Sequence, residues 1–122
     1  MLTNDVRASH GLPLFAKGSE ASLSAAYVRS REIVTYFSHT RPDDRLWYTA
    51  FADAGVNYSW AGENIAAGYH SPESVVEAWM NSPGHAANIL KPEFTHLAVG
   101  FCYAPTELYR DYAVQLFYTP AG

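Results

Sequence analysis

What the 122-residue chain lacks excludes several classes of protein. It has a single cysteine, Cys102, so no disulfide can form within the chain and the fold must depend on its packed core. Cys102 lies in a strand-like segment without a basic neighbour, which favours an inert buried thiol over a nucleophile. No apolar run reaches the roughly 18 residues that a membrane-spanning helix requires, so we expect no transmembrane segment.

Basic residues are also few. The chain has 8 Lys and Arg against 12 Asp and Glu, a formal net charge of −4 and an isoelectric point near 5.6. Its densest basic cluster is Arg29 and Arg31, far short of the basic stripe that binds a phosphate backbone. We therefore expect no nucleic-acid partner.

Short catalytic motifs are absent as well. The sequence has no Gly-x-Ser-x-Gly nucleophile turn, no glycine-rich phosphate loop and no His-Glu-x-x-His zinc motif. Any site must therefore be assembled from distant segments. His39 follows a predicted helix, Glu63 lies in an apolar stretch where a carboxylate needs a partner, and His85 follows a Pro-Gly break. The residues alone leave open whether these three side chains form one site or whether each has its own separate hydrogen-bond partners.

What the chain does contain is enough apolar sequence, 48% of its residues, for one domain over residues 1–122. Periodicity predicts helices over residues 3–10 and 20–37, a third from Asp43 or Asp44 to Gly55, and a fourth capped by Ser71. Alternation predicts strands over residues 61–66, 97–103 and 112–118. Helices followed by mainly antiparallel strands predict an α+β fold, a three-layer α-β-α sandwich.

A series of motifs covers nearly the whole chain in a characteristic order. They are Asn4 with Arg7, Gly11–Leu12, Ser38–Asp43, Gly62–Ala66, Ser71–Glu73, Trp79–His85, Asn88–Leu90, Phe94–Thr95 and Val114–Phe117. Together these motifs resemble the bacterial, SCP-like branch of the CAP superfamily, which includes cysteine-rich secretory proteins, insect venom antigen 5 proteins and plant pathogenesis-related proteins.

The resemblance implies a central antiparallel sheet covered by helices on both faces, and a cleft with two histidines and two acidic residues that can hold a divalent metal. His39 and His85 match the two histidines and Glu63 matches one acidic residue. Ser82 stands where the second acidic residue is common. The resemblance thus predicts, at most, a weakly bound zinc or other divalent ion on His39 and His85.

The resemblance also frames the function. We expect an extracellular or cell-surface binding module, a monomer, whose cleft holds a glycan, peptide or lipid. Glu63, Asn64 and Trp79 are predicted to line that cleft, although the residues themselves favour a structural amide at Asn64 and a core tryptophan at Trp79. A metal-assisted peptidase or esterase with Glu63 as catalytic base is one alternative, and a lipid or sterol carrier is another. Residues 1–5 lack the features of a signal peptide, which on the residues alone leaves the compartment open. From the resemblance we expect either that Met1 is an artificial start or that an export signal and further segments have been removed.

Overall fold

The computed structural model of the protein describes residues 2–122. The described residues form five α-helices and four β-strands. The helices are α1 (Leu2–Ser9), α2 (Glu20–Thr35), α3 (Thr49–Asp53), α4 (Pro72–Met80) and α5 (Pro83–Ile89). The strands are β1 (Ala16–Lys17), β2 (Tyr58–Ala67), β3 (His96–Tyr103) and β4 (Asp111–Pro120). None of these helices is long and apolar enough to cross a membrane.

The strands form one sheet in the order β1-β3-β4-β2. Strand β4 lies antiparallel to both β3 and β2, and only the two-residue β1 runs parallel to its neighbour β3. Residues 112–118 of β4 are all buried, as expected for a strand covered on both faces. The mainly antiparallel sheet of the sequence prediction is therefore confirmed.

The two faces of the sheet carry separate apolar cores. Val114, Leu116 and Tyr118 of β4 pack with residues of α2 and α3, whereas Ala113 and Phe117 pack with residues of α4 and α5. Glycine at position 100 lets α2 approach β3 closely, because a Cβ there would lie 2.3 Å from the backbone oxygen of Ala26. The three-layer α-β-α sandwich is therefore confirmed.

Two helix starts follow their predicted caps. Ser19 precedes α2 and its side chain accepts a hydrogen bond from the Ser22 backbone, while Ser71 forms a capping box with Ser74 at the start of α4. Helix α2 ends at Thr35, two residues before the predicted end, which frees residues 36–39 to turn toward the sheet.

The predicted start of the third helix is wrong. Helix α3 begins at Thr49, and Asp43 instead accepts hydrogen bonds from the backbone and side chain of Arg45, while Asp44 takes a left-handed φ of 72°. A short polar side chain can satisfy a turn as well as a helix start, so the pattern alone did not separate the two. The end was placed correctly, since Gly55 follows α3 with a φ of 82°.

Candidate functional site

A hollow of about 530 Å³ opens between the segment that follows α2, the last residues of β2 and the junction of α4 with α5. We call it the histidine cleft. Both predicted histidines, His39 and His85, line it. Its remaining lining residues are Phe37, Ser38, Ile65, Ala66, Ala67, Tyr69, Ala78, Trp79 and Ser82. Folding thus brings into one hollow two imidazoles that lie 46 positions apart in the chain.

His39 reaches the cleft because α2 ends early. Its Nδ1 lies 2.7 Å from Oε1 of Glu63 and donates to that carboxylate, while about half of the side chain, 53%, remains exposed. A carboxylate on Nδ1 fixes the ring orientation and leaves Nε2 as the free edge of the imidazole. Glu63 therefore fixes the His39 ring through Nδ1, while the rest of the side chain stays accessible to solvent.

Glu63 lies beneath the cleft rather than in its wall. Its side chain is fully buried, and the guanidinium of Arg29 binds both carboxylate oxygens, with Nε 2.7 Å from Oε2 and Nη2 3.0 Å from Oε1. Arg29 also donates to Glu32 and to the backbone oxygen of Ser38. Burial alone would lower the pKa of Arg29, but its hydrogen bonds to Glu63 and Glu32 raise that pKa above the ordinary value.

Arg29 is the residue that sequence reasoning missed, because it was counted only as part of a basic pair. It lies three positions after Ala26 and four before Ile33, both of which are fully buried on α2. That spacing places Arg29 on the buried stripe of the helix. A charged side chain on such a stripe needs an opposite charge, and Glu63 was the available carboxylate in an apolar strand.

His85 lies in the first turn of α5, and its Nδ1 is 2.9 Å from the hydroxyl oxygen of Ser82. Burial is the larger cause that lowers the pKa of His85 below its usual value of 6.5, and the nearby charge of His39 lowers it further. Near neutral pH His85 is therefore an uncharged imidazole. Ser82, which replaces the acidic residue of the resemblance, fixes the ring with a hydroxyl instead of a carboxylate.

Asn64 and Trp79 connect the elements around the cleft through hydrogen bonds. The Asn64 side chain donates to the backbone oxygen of His85 and to Gln115, and accepts a hydrogen bond from Asn88. It thereby fastens α5 to the sheet and does not reach the hollow. Trp79 lines the hollow, although only 3% of it is exposed, and its Nε1 donates to the backbone oxygen of Ile65.

The side chains of the cleft do not fit a metal held by protein ligands alone. Both oxygens of Glu63 are engaged by Arg29 and His39, so the available donors are the Nε2 atoms of His39 and His85. Among residues 2–122, no group of three or more His, Cys, Asp or Glu side chains is placed to hold a metal ion. Structural zinc sites use four protein ligands and catalytic ones usually three.

Comparison with curated proteins finds two relatives in Bacillus subtilis strain 168. The uncharacterized protein YkwD is 42% identical over 101 residues, which cover 82% of this chain and 39% of YkwD. The uncharacterized membrane protein YlbC is 34% identical over 101 residues, which cover 81% of this chain and 29% of YlbC. The chain therefore spans less than two fifths of the length of either relative.

Solved structures share the fold. An extracellular protein of Bacillus anthracis that contains an SCP domain matches with a TM-score of 0.84 and 32% identity over 97% of this chain and 38% of that one. An outer surface protein of Borrelia burgdorferi matches with a TM-score of 0.86 over 98% of this chain and 88% of that one. At 16% identity the second likeness shows the fold alone.

The family model described as the cysteine-rich secretory protein family, CAP, matches residues 1–117. That match takes in α1 to α5, all four strands except the end of β4, and every residue of the histidine cleft. The chain therefore belongs to the CAP family of cysteine-rich secretory proteins.

Proposed function

We propose that this domain is an extracellular or cell-surface binding module that holds a small ligand in the histidine cleft through His39 and His85. The observation that carries the proposal is that both imidazoles line one open hollow, each with Nδ1 already bound to the protein. Two ring edges fixed in advance can form hydrogen bonds to a ligand with little loss of side-chain freedom.

The walls of the cleft support a ligand that is partly apolar. Phe37 and Tyr69 are about half exposed at its rim, and Ile65, Ala66 and Trp79 form its floor. Apolar walls with a few fixed polar groups are typical of sites for small molecules, in which the polar groups set the orientation.

The placement of Glu63 favours binding over hydrolysis. A general base must come within hydrogen-bond reach of the proton that it abstracts. The Glu63 carboxylate is fully buried, is bound by Arg29 and His39, and does not line the hollow. A hydrolase that used Glu63 as its base would first have to break the contacts that hold His39 in place.

The extracellular location rests on one relative. The Bacillus anthracis protein, which is 32% identical to this chain, is described as extracellular.

A weak divalent metal site stays a prediction. It would have two protein donors, the neutral His85 and the carboxylate-bound His39, with solvent or ligand in the other positions.

The proposal is tested by NMR on protein with labelled histidine rings. N-acetylglucosamine oligomers, tripeptides, fatty acids and zinc chloride are added in turn, and the ring signals of His39 and His85 are expected to shift with at least one of them. His39→Ala and His85→Ala should each abolish binding, while His10→Ala, which removes an exposed histidine outside the cleft, should leave it intact. Binding that survives both cleft variants would refute the proposal.

A lipid ligand is the second candidate, and a separate groove favours it. A hollow of about 460 Å³ between α1, α4 and β3 is walled mainly by apolar side chains, among them Leu2, Val76, Val99 and Phe101. Mass spectrometry of solvent extracts from the purified protein tests this candidate. A bound lipid whose signal is lost in Val99→Glu, but kept in His39→Ala, would place the ligand in the groove instead of the cleft.

A further inference from the structure

A second hollow, of about 250 Å³, lies beside the histidine cleft, between the loop after β2, the start of α4 and the β3–β4 hairpin. We call it the hairpin hollow. Tyr69 lines both hollows, so the two adjoin at this side chain. The other residues of the hairpin hollow that matter here are His70, Phe101, Tyr103 and Asp111.

The fold fixes the polar edge of the hairpin hollow. Asp111 begins β4 opposite Tyr103, and its backbone oxygen accepts a hydrogen bond of 2.9 Å from the backbone of Gly68. Its Oδ2 accepts a hydrogen bond from His70 Nδ1. Within residues 2–122, the other two polar atoms of this pair, His70 Nε2 and Asp111 Oδ1, have no hydrogen-bond partner. The His70 and Asp111 side chains are 56% and 35% exposed, so this pair has a free acceptor and a free imidazole nitrogen on side chains that water can reach.

Exposed aromatic rings surround this polar pair. Tyr69, Phe101 and Tyr103 are 43%, 58% and 67% exposed, and Tyr109, at 52%, lies so close to Gly68 that a Cβ there would be 3.1 Å from its ring. Aromatic side chains with this much apolar area are usually at least partly covered, and clustered exposure marks an interaction surface. The cluster is continuous with the histidine cleft through Tyr69.

Two considerations favour a sugar over an added peptide strand in this hollow. A sugar ring presents an apolar face that packs on an aromatic ring, and edge hydroxyls that bond to a carboxylate and an imidazole. A peptide that bound as an added strand along the edge of β2 would fit less well. Two backbone oxygens of that edge, those of Glu63 and Ile65, already accept hydrogen bonds from the side chains of Asn88 and Trp79.

We propose that the hairpin hollow is a second subsite, and that a linear, uncharged oligosaccharide occupies both hollows by passing over Tyr69. This inference rests on the proposed function, because the first subsite is the histidine cleft. The formal charge of −4 on the chain agrees with an uncharged polymer rather than a polyanionic one. A ligand that fills two linked subsites binds more tightly than one that fills a single subsite.

The experiment compares the dimer and the hexamer of β-1,4-linked N-acetylglucosamine by calorimetry with the whole chain. We expect the hexamer to bind at least about tenfold more tightly than the dimer. Tyr103→Ala and His70→Ala, which change only the hairpin hollow, should lower hexamer affinity to that of the dimer and leave dimer binding unchanged. Tyr27→Ala, which removes a tyrosine of similar exposure (51%) on α2, is the matched control and should change neither affinity.

The outcomes separate this inference from the proposed function. If the dimer and the hexamer bind equally and both require His39 and His85, the second subsite is refuted and the histidine cleft stands. If the sugars fail to bind but a tripeptide binds at His39 and His85, the ligand is a peptide and the oligosaccharide inference is overturned. If none of the probes perturbs either histidine, both proposals are refuted.

Discussion

Arg29 and Arg45 make nearly the same contacts in two different environments. Arg29 binds Glu63 through two nitrogens and Glu32 through a third. Arg45 binds Asp53 through two nitrogens and Asp43 through a third. The Arg29 side chain is 0% exposed, whereas that of Arg45 is 45% exposed.

Arg41 joins the two clusters into one series of ion pairs. It binds Glu32, the partner of Arg29, and also Asp53, the partner of Arg45. The series therefore runs from the base of the histidine cleft to the surface beside α3, and similar bonds are made at every depth. What differs is the access of water to each carboxylate, so burial rather than bond number should decide how much each arginine contributes to stability.

Removing the buried arginine should have the largest effect. In Arg29→Met the Glu63 carboxylate stays buried and loses its positive partner, and we expect the free energy of unfolding to fall by about 3–5 kcal/mol. Urea denaturation followed by circular dichroism measures the change. Arg31→Met, which removes an exposed arginine from the same helix, is the matched control and should leave the midpoint nearly unchanged. An equal loss in both variants would show that burial is not the deciding factor.

Removing both charges should restore much of that loss. In the double variant Arg29→Met with Glu63→Met no charge is left buried at this position, and two apolar side chains take up most of the volume. We expect the double variant to be more stable than Arg29→Met alone in the same urea experiment. Because Glu63 orients His39, the double variant should nevertheless lose ligand binding in the cleft. Stability that is no better than in the single variant would contradict this account.

The pKa of His85 should report on the cleft end of the series. His39→Ala removes a charge that lowers the pKa of His85, so this pKa should rise, although burial will keep it below 6.5. NMR titration of the His85 ring gives the pKa, and His10→Ala, the control, should not change it.

The lowered pKa of His85 also predicts how stability depends on pH. Because folding lowers this pKa, the unfolded chain binds the proton more tightly. The wild-type protein should therefore lose stability as the pH falls from about 6.5 through the lowered value.

The distance along the chain between interacting residues explains which parts of this structure the sequence could predict. Strands β2, β3 and β4 and the caps Ser19 and Ser71 were predictable because each depends on residues close in the chain, whereas the two residues of β1 are too few to show an alternation. The approach of His39 to Glu63 was suggested only by the family resemblance. The ion pair with Arg29, which holds the Glu63 carboxylate beneath the cleft, joins positions 34 apart and has no local pattern. Asp43 failed as a helix cap for the opposite reason, since its near neighbour Arg45 offered a competing local turn.

The smallest effect is expected for the exposed cluster. In Arg45→Met, water can solvate the freed oxygens of Asp43 and Asp53, and Arg41 still binds Asp53. We expect a change in the free energy of unfolding too small to separate from repeat urea titrations, and any residual difference to vanish at high salt, where exposed charges are screened. In the wild-type protein the hydrogen bonds from Arg45 and Arg41 hold the pKa of Asp53 at about 2. Asp53 is therefore charged near neutral pH, where the urea experiments on wild type and variant are compared. A large loss in Arg45→Met would mean that the series of ion pairs acts as one unit, in which the surface end supports the arginine beneath the cleft.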